Sequence, residues 1–308
     1  MELDAGIVGA YSQPPQPYLD LWADSVPPWL DELDLSPAPP HNRMGTRSLA
    51  IDDWFVVDSL RDSELGLRRR LFDERPDDVF ACLASAEEAA VEVLDLMQGW
   101  TTDHGLLGVN AADDGERLHP LAAAGLLVQE DLCIMILRDG EWRLDGAMLC
   151  FPALWRLADK LGRGMTAIHE PIGHYDDLES RVDRLFDRIR AGQPIWRRNM
   201  SLKPTHSLFL PLSRARLTSH IVPVAPDGSP YWIRSERQTL IKLPRTGAIL
   251  FTIRTQLAPA SVLIRRPDIA AGIVTMYESW DAEMNAFKLA DCDIADSFLP
   301  WLRSIAVG

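Results

Sequence analysis

Three polar side chains recur at every second position of one extended run. The residues from Tyr231 to Leu243 alternate as in a β-strand, which places Arg234, Glu236 and Gln238 on one face, flanked by a tryptophan and a leucine. On a solvent-exposed face, the arginine and the glutamate would form an ordinary ion pair. On an inner face they would line a pocket, where the carboxylate can hold an ammonium group and the guanidinium can polarise a bound ligand.

One histidine stands at the end of a short apolar stretch. His169 follows residues 165–168 and precedes Pro171, which restricts the backbone just after it. An imidazole presented from an apolar wall is suited to axial coordination of an iron porphyrin when its second nitrogen is hydrogen-bonded. Taken alone, a single histidine is more often structural. The alternative ligands are His174, His206 and His220.

Four further polar residues lie in apolar surroundings. Tyr175 either packs under a helix or points its hydroxyl group into a pocket. Arg198, its neighbour Asn199, and Arg254 fall within two other extended runs. A buried guanidinium needs an anion. The anion is either a carboxylate of the protein or an acidic group of a ligand, and the sequence leaves both open.

The elements that position these residues begin with a β-hairpin. Its strands run from Asp131 to Leu137 and from Trp142 to Phe151, and Asp139-Gly140 at the tip favours a type I′ turn. Residues 153–161 are predicted to form a helix, and residues 165–171 a turn or short helix. From Tyr175 to Ile189 the apolar spacing predicts a longer amphipathic helix that ends at Gly192.

Three more extended runs follow, at residues 195–202, 231–243 and 248–257. A hairpin, helices and three strands in that order predict an α+β fold of PAS type. We expect a PAS-like five-stranded antiparallel sheet with helices on one side and with helical extensions at both termini. The predicted units are a proline-rich extended arm (1–41), an N-terminal helical extension (42–120), the PAS-like domain (121–260) and a C-terminal helical extension (261–308).

Composition excludes several classes of function. The formal net charge of -14 disfavours binding to nucleic acid or to an anionic membrane surface. No apolar run reaches the roughly 18 residues of a spanning helix, and the N-terminus lacks a basic signal start, so we expect a cytoplasmic protein. The four cysteines have no Cys-x-x-Cys spacing, which predicts buried free thiols and neither a zinc site nor an iron-sulfur cluster.

Nine short motifs occur in order between about residue 42 and about residue 290. They are Asn42-Arg-Met-Gly45, Trp54 with Asp58, Cys150-Phe-Pro152, Lys160-Leu-Gly162, Ile168-His-Glu-Pro171, Trp196-Arg-Arg-Asn199, Arg234-Ser-Glu-Arg-Gln-Thr-Leu240, Leu243-Pro-Arg-Thr-Gly247 and Phe251-Thr-Ile-Arg254. Together they resemble the haem-dependent oxidative N-demethylase family, of the dimethylamine monooxygenase α-subunit type. Two positions depart from the family pattern: Met200 replaces a common tryptophan, and Gln256 stands near a usual tyrosine.

The resemblance implies a haem b cofactor with His169 as the axial ligand. It implies catalytic roles for Glu236, Arg234 and Tyr175, and haem contacts for the other polar candidates. Those contacts are Arg198, Asn199, Gln238 and Arg254.

The resemblance also implies a reaction and its partners. Dioxygen and NADPH-derived electrons would convert a small secondary amine such as dimethylamine into a primary amine and formaldehyde. FMN, a 2Fe-2S cluster and tetrahydrofolate would belong to partner subunits, because this chain carries no motif for them. Two alternatives remain. A PAS haem domain can act as a gas or redox sensor, although no output domain is visible, and a structural subunit can have lost its cofactor.

Overall fold

The computed structural model describes residues 9–37, 45–106, 118–169, 185–211, 224–280 and 297–306. The helices within these ranges are α1 Gln16–Leu21, α2 Arg61–Glu74, α3 Pro76–Val79, α4 Glu87–Asp103, α5 Pro120–Gly125, α6 Met165–His169, α7 Pro267–Glu278 and α8 Phe298–Ala306. Short 3-10 helices occupy Pro28–Glu32, Ile51–Asp53, Ala84–Ala86, Leu157–Asp159 and Ala260–Arg265. None of the described helices is long and apolar enough to cross a membrane.

One antiparallel sheet organises the described residues, and its seven strands run in the order β1-β5-β6-β7-β3-β4-β2. The strands are β1 Arg47–Ser48, β2 Phe80–Cys82, β3 Asp131–Arg138, β4 Glu141–Met148, β5 Ile195–Lys203, β6 Trp232–Lys242 and β7 Ile249–Pro259. The α+β class is confirmed. The five predicted strands are β3 to β7, and the sheet exceeds the predicted size because β1 and β2 extend its two edges.

The predicted hairpin forms with the predicted turn. Arg138 pairs with Glu141, which leaves a two-residue loop. Asp139 and Gly140 have φ angles of 54° and 81°, the left-handed values that a type I′ turn requires at both central positions. The Asp-Gly pair therefore sets the register of β3 against β4.

Both faces of the sheet are covered, whereas helices were predicted on one side only. We call the face that carries Glu236 and Gln238 the Glu236 face, and the face that carries Arg237 and Thr239 the Arg237 face. Apolar residues of α2, α4 and α5 pack on the Arg237 face, against Leu132, Ile134 and Leu250. The Glu236 face packs through Cys133, Met135 and Ile249 against Leu157, Phe186 and Ile189.

Two local predictions are wrong. Residues 153–161 do not form one helix, because Leu154 adopts a positive φ of 64° and only Leu157–Asp159 makes a 3-10 turn. The residues Ser85-Ala-Glu-Glu88 also predict a capping box at the start of α4, but Ser85 does not cap this helix. Its hydroxyl group donates instead to the Asp145 carboxylate at 2.5 Å, and α4 has no side-chain cap.

The N-terminal segment is less extended than predicted, since it contains α1 and the 3-10 helix Pro28–Glu32. Tyr18 and Trp29 are both only 2% exposed. The Tyr18 hydroxyl donates to Glu64 Oε1 at 3.0 Å, and Trp22 Nε1 donates to the Leu257 carbonyl at 3.0 Å. The aromatic side chains of this segment thus pack on the chain's own domain.

The predicted long helix lies mostly outside the described residues. Residues 185–188 are helical, so the helix ends earlier than the predicted Gly192, whose φ of 71° belongs to a turn in which the Gln193 amide donates to the Arg190 carbonyl at 3.2 Å. Phe186 and Ile189 place this end of the helix over the Glu236 face. Helix α6 and the described end of the predicted helix therefore lie over the same face of the sheet.

Candidate functional site

Strand pairing gathers polar side chains on the Glu236 face. Glu236 pairs with Asn199 of β5 and with Thr255 of β7, and Gln238 pairs with Arg197 of β5. Paired residues of adjacent antiparallel strands point to the same side of the sheet. The prediction that Glu236 and Gln238 share one face of β6 is confirmed. Strand β5 adds the side chains of Arg197 and Asn199 to the same face.

A chain of hydrogen bonds joins four of these residues. Arg197 Nε donates to Gln238 Oε1 at 2.7 Å, and Gln238 Nε2 donates to Glu236 Oε2 at 3.1 Å. On the other side, Arg234 Nε donates to Glu236 Oε1 at 3.5 Å. The Glu236 side chain keeps 15% of its surface exposed. Each carboxylate oxygen thus receives one donor from the described residues, and part of the carboxylate remains exposed.

Arg234 serves mainly to hold the site together. Its side chain is 1% exposed, and its remaining donors reach the carbonyls of Phe151, Ser207 and Leu208 and the Thr255 hydroxyl. Burial lowers the pKa of this guanidinium, and the Glu236 carboxylate partly offsets that effect. An arginine has five N–H donors, and protein acceptors occupy all of these directions. We therefore assign Arg234 a positioning role beside Glu236 and no direct contact with dioxygen or a propionate.

An apolar wall continues the Glu236 face beyond the polar chain. Leu240 and Phe251 lie on that wall with the buried side chains of β3 and β4, and Met165 and Ile168 of α6 pack against the same cluster. His169 is the last residue of α6. The backbone thus brings the predicted ligand to the helical layer above this face, while its side chain lies outside the described parts of the chain.

The other predicted residues divide into two groups. Tyr175, His174 and His220 lie outside the described residues. His206 is described, and its Nε2 lies 2.9 Å from the Gln13 carbonyl while its ring centroid lies 5.4 Å from that of Trp232. Burial lowers the pKa of this histidine. These contacts connect the N-terminal segment to β6 and indicate a structural role for His206.

Arg198 and Arg254 lie on the Arg237 face, opposite Glu236. Arg198 bonds to the Glu32 carboxylate, and its Nη1 also donates to Ser235 and Gln256. Arg254 bonds to Asp58 at 2.7 Å and to Glu64 at 2.8 Å. These contacts favour the interpretation in which both arginines pair with carboxylates of the protein, so we leave them out of the haem site. The departures at Met200 and Gln256 fall on this face as well.

A further carboxylate is buried in the same region. Glu130 is 2% exposed and accepts a hydrogen bond from the Val56 amide at 3.1 Å. Burial raises its pKa to about 7, and Arg254 and Arg68 only partly oppose the rise. Because the folded pKa exceeds the unfolded one, this group stabilises the fold below the unfolded pKa, and that stability is lost as the pH rises through 7.

We expect Glu130→Gln to remove this dependence, since glutamine mimics the protonated acid and keeps an acceptor for the Val56 amide. Relative to the variant, the wild-type free energy of unfolding should fall by about 3 kcal/mol between pH 4.5 and pH 8. Urea unfolding of both proteins across this range measures the difference, with the exposed Glu278→Gln as the control. If the difference in free energy of unfolding between the two proteins does not change with pH, Glu130 stays ionised in the folded protein.

One cluster outside the Glu236 face has donors of the kind that bind metals. Ligand atoms of Cys82, Glu87 and His119 lie within 4.8 Å of one another. However, His119 Nδ1 accepts a hydrogen bond from the Leu121 amide, so the neutral ring carries its proton on Nε2, 3.0 Å from Glu87. Burial raises the pKa of the Cys82 thiol to about 12. A protonated Nε2 and a protonated thiol are poor ligands, and we assign no metal here.

The sequence predicts a site residue at Arg198 and none at Arg197, because Arg198 lies in an apolar run. The register of β5 instead places Arg198 on the Arg237 face and Arg197 on the Glu236 face, where it bonds to Gln238. The signal was present, because Arg197 precedes Asn199 by two residues and shares its parity. What the sequence lacked was the pairing of β5 with β6.

The comparison with known families supports one assignment. The sequence model of the family described as haem-dependent oxidative N-demethylase, alpha subunit-like, matches residues 98–292. The match covers more than half of the chain and includes β3 to β7, α6 and every residue of the hydrogen-bonded chain on the Glu236 face. It confirms the resemblance seen in the motifs.

Proposed function

The chain belongs to the haem-dependent oxidative N-demethylase, alpha subunit-like family, and we propose that it demethylates a small secondary amine oxidatively, in the way the family description states. The reaction would consume dioxygen, two electrons and two protons and would yield a primary amine, formaldehyde and water. Dimethylamine is the simplest substrate of this class.

The observation that carries the proposal is the Glu236 carboxylate beside an apolar wall. Among the described residues, each oxygen of this carboxylate receives one donor, from Arg234 and from Gln238. A protonated amine would donate to the acceptor positions that these two donors leave open. Gln238 and Arg234 hold the acid in place, and Asn199 lies beside it on β5.

The residues of the Glu236 face also fit a haem. The wall formed by Leu240, Phe251, Met165 and Ile168 suits an apolar macrocycle, and the backbone of α6 ends at a histidine over this wall. We propose His169 as the axial ligand and Tyr175 as a further contact in the site. When bound, the haem supplies the activation of dioxygen. The protein supplies the binding of the amine and the exclusion of water around it.

We also propose that residues 121–260 form a PAS-like haem domain, with an N-terminal arm to residue 41 and helical extensions at 42–120 and 261–308. The order β5-β6-β7-β3-β4 of the central strands, with helices inserted between β4 and β5, supports this division. The additional strands β1 and β2 come from the N-terminal extension.

Electrons would come from another protein. An alpha subunit implies partner subunits, and we propose a reductase with FMN and a 2Fe-2S cluster that receives electrons from NADPH, together with a tetrahydrofolate site that takes the formaldehyde. The chain itself has neither a cysteine cluster nor a glycine-rich dinucleotide turn in its sequence.

The test is an absorption spectrum of the purified protein during titration with dimethylamine. The proposal predicts a Soret band that shifts as the amine binds. A Soret band that responds to gaseous ligands but to no amine would favour the haem sensor, and the absence of haem after reconstitution would contradict both functions.

We expect the rate of reduction by the partner to depend on ionic strength. The chain carries a formal charge of -14, and complementary charges on a reductase would accelerate association. Salt screens such fields over about 8 Å at physiological ionic strength. Stopped-flow reduction at rising salt should therefore slow, while the amine affinity, measured as a control, stays constant. Reduction rates that are independent of salt would show that the negative charge does not guide the partner.

A further inference from the structure

We propose that Arg197 is a positioning residue that fixes the amide of Gln238, so that Glu236 presents a fully accepting carboxylate to the two N–H groups of a secondary ammonium ion. The inference rests on the proposed function and deepens it, since it adds a residue and a selection rule for the substrate. The hydrogen-bonded chain on the Glu236 face carries it.

The orientation of the Gln238 amide follows from its neighbours. A guanidinium can only donate, so Arg197 Nε at 2.7 Å requires the amide oxygen on its side. The amide nitrogen then faces Glu236 Oε2 at 3.1 Å and donates to it. With the amide reversed, its oxygen would oppose the carboxylate and its nitrogen would oppose the guanidinium. Arg197 thus makes Gln238 a donor to Glu236.

The same chain determines which acceptor positions of Glu236 stay open. A carboxylate offers about four lone-pair sites on its two oxygens. Arg234 Nε occupies one site on Oε1, and Gln238 Nε2 occupies one on Oε2. With respect to the described residues, one site therefore remains on each oxygen. A secondary ammonium has two N–H groups and can fill both, whereas a protonated tertiary amine has one N–H and fills only one.

The side chains around Glu236 agree with the assignment of its open acceptor positions to an ammonium ion. Among the described residues that contact Glu236 or its amide partner, the charged groups are Arg234 of β6 and Arg197 of β5. Thr255 of β7 pairs with Glu236 across the sheet, and its hydroxyl group accepts a hydrogen bond from Arg234 Nη2 at 3.4 Å. The described hydrogen-bond partners of the acid are therefore donors.

The experiment measures dissociation constants of dimethylamine and trimethylamine by Soret titration in wild type, Arg197→Met and Arg197→Lys. We expect wild type to bind dimethylamine more tightly than trimethylamine. In Arg197→Met the ratio of the two dissociation constants should fall by about tenfold, because the hydrogen bond from Gln238 to the Glu236 carboxylate is then no longer held in place. Arg197→Lys should retain the preference, since lysine also only donates. The exposed Arg188→Met serves as the control for loss of one positive charge.

A double-mutant cycle separates positioning from folding. In a Gln238→Leu background the amide is absent, so Arg197→Met should cause no further loss of preference. Equal losses of affinity for both amines in Arg197→Met would overturn the inference, and so would additive losses of preference in the double variant. Either result would leave the proposed function intact. If wild type responds to no amine, the proposed function fails and the inference fails with it.

Discussion

In His169→Ala, the purified protein is expected to lose stoichiometric haem. His169 ends α6, and Ile168 of the same helix packs on the apolar cluster of the Glu236 face, so the proposed ligand belongs to an element that borders this face. Without its axial ligand the haem would be held by apolar contacts alone. The measurement is the ratio of Soret to protein absorbance after reconstitution with excess haem, followed by removal of the unbound cofactor.

Two variants serve as controls for this result. His206→Ala removes a histidine that bonds to the N-terminal segment, and His119→Ala removes one at the start of α5. Both should retain the Soret band of wild type. An unchanged spectrum in His169→Ala, with loss of haem in His206→Ala, would contradict the assignment of the axial ligand.

In Glu236→Gln, amine binding is expected to weaken by about 2–5 kcal/mol, as when one partner of a buried charge pair is removed. Glutamine keeps the size of the side chain and accepts the Gln238 hydrogen bond, but it carries no charge for the ammonium. Haem content should stay at the wild-type value, because Glu236 contributes nothing to the apolar wall.

Titration of dimethylamine into wild type and Glu236→Gln, followed at the Soret band, measures the loss. Glu278→Gln changes the formal charge by the same amount at an exposed position of α7, where the acid pairs with Arg303, and it should bind the amine like wild type. Equal affinities in wild type and Glu236→Gln would remove Glu236 from the site.

Local chemistry explains which parts of the fold were predictable. The hairpin was predictable because Asp139 and Gly140 tolerate positive φ and lie between alternating strands. Strands β6 and β7 were predictable because they are long and rich in β-branched residues. The two-residue β1 and the three-residue β2 were not, since runs so short show no periodicity and form only by pairing with β5 and β4.

The candidate site was predictable only within single strands. Parity placed Glu236 and Gln238 together, and the pairing of β6 confirmed it. The ion-pair partners of the buried arginines were not predictable, because the carboxylates that bond to Arg254 lie 190 or more positions earlier in the chain. Local spacing carries no information on residues that meet through long-range packing, so the contact of Arg197 with Gln238 could not be predicted from the sequence.

The most direct test of the account is the product of one turnover. The haem-loaded protein is mixed with dimethylamine and dioxygen while an external reductant supplies two electrons per haem, because reduction of a ferric haem to the ferrous form stores only one, and formaldehyde and methylamine are counted per haem. The account predicts about one of each for every two electrons delivered, and far less product in Glu236→Gln. Reoxidation of wild type without formaldehyde, accompanied by a spectral change only, would contradict it and identify the chain as a binding or sensing protein.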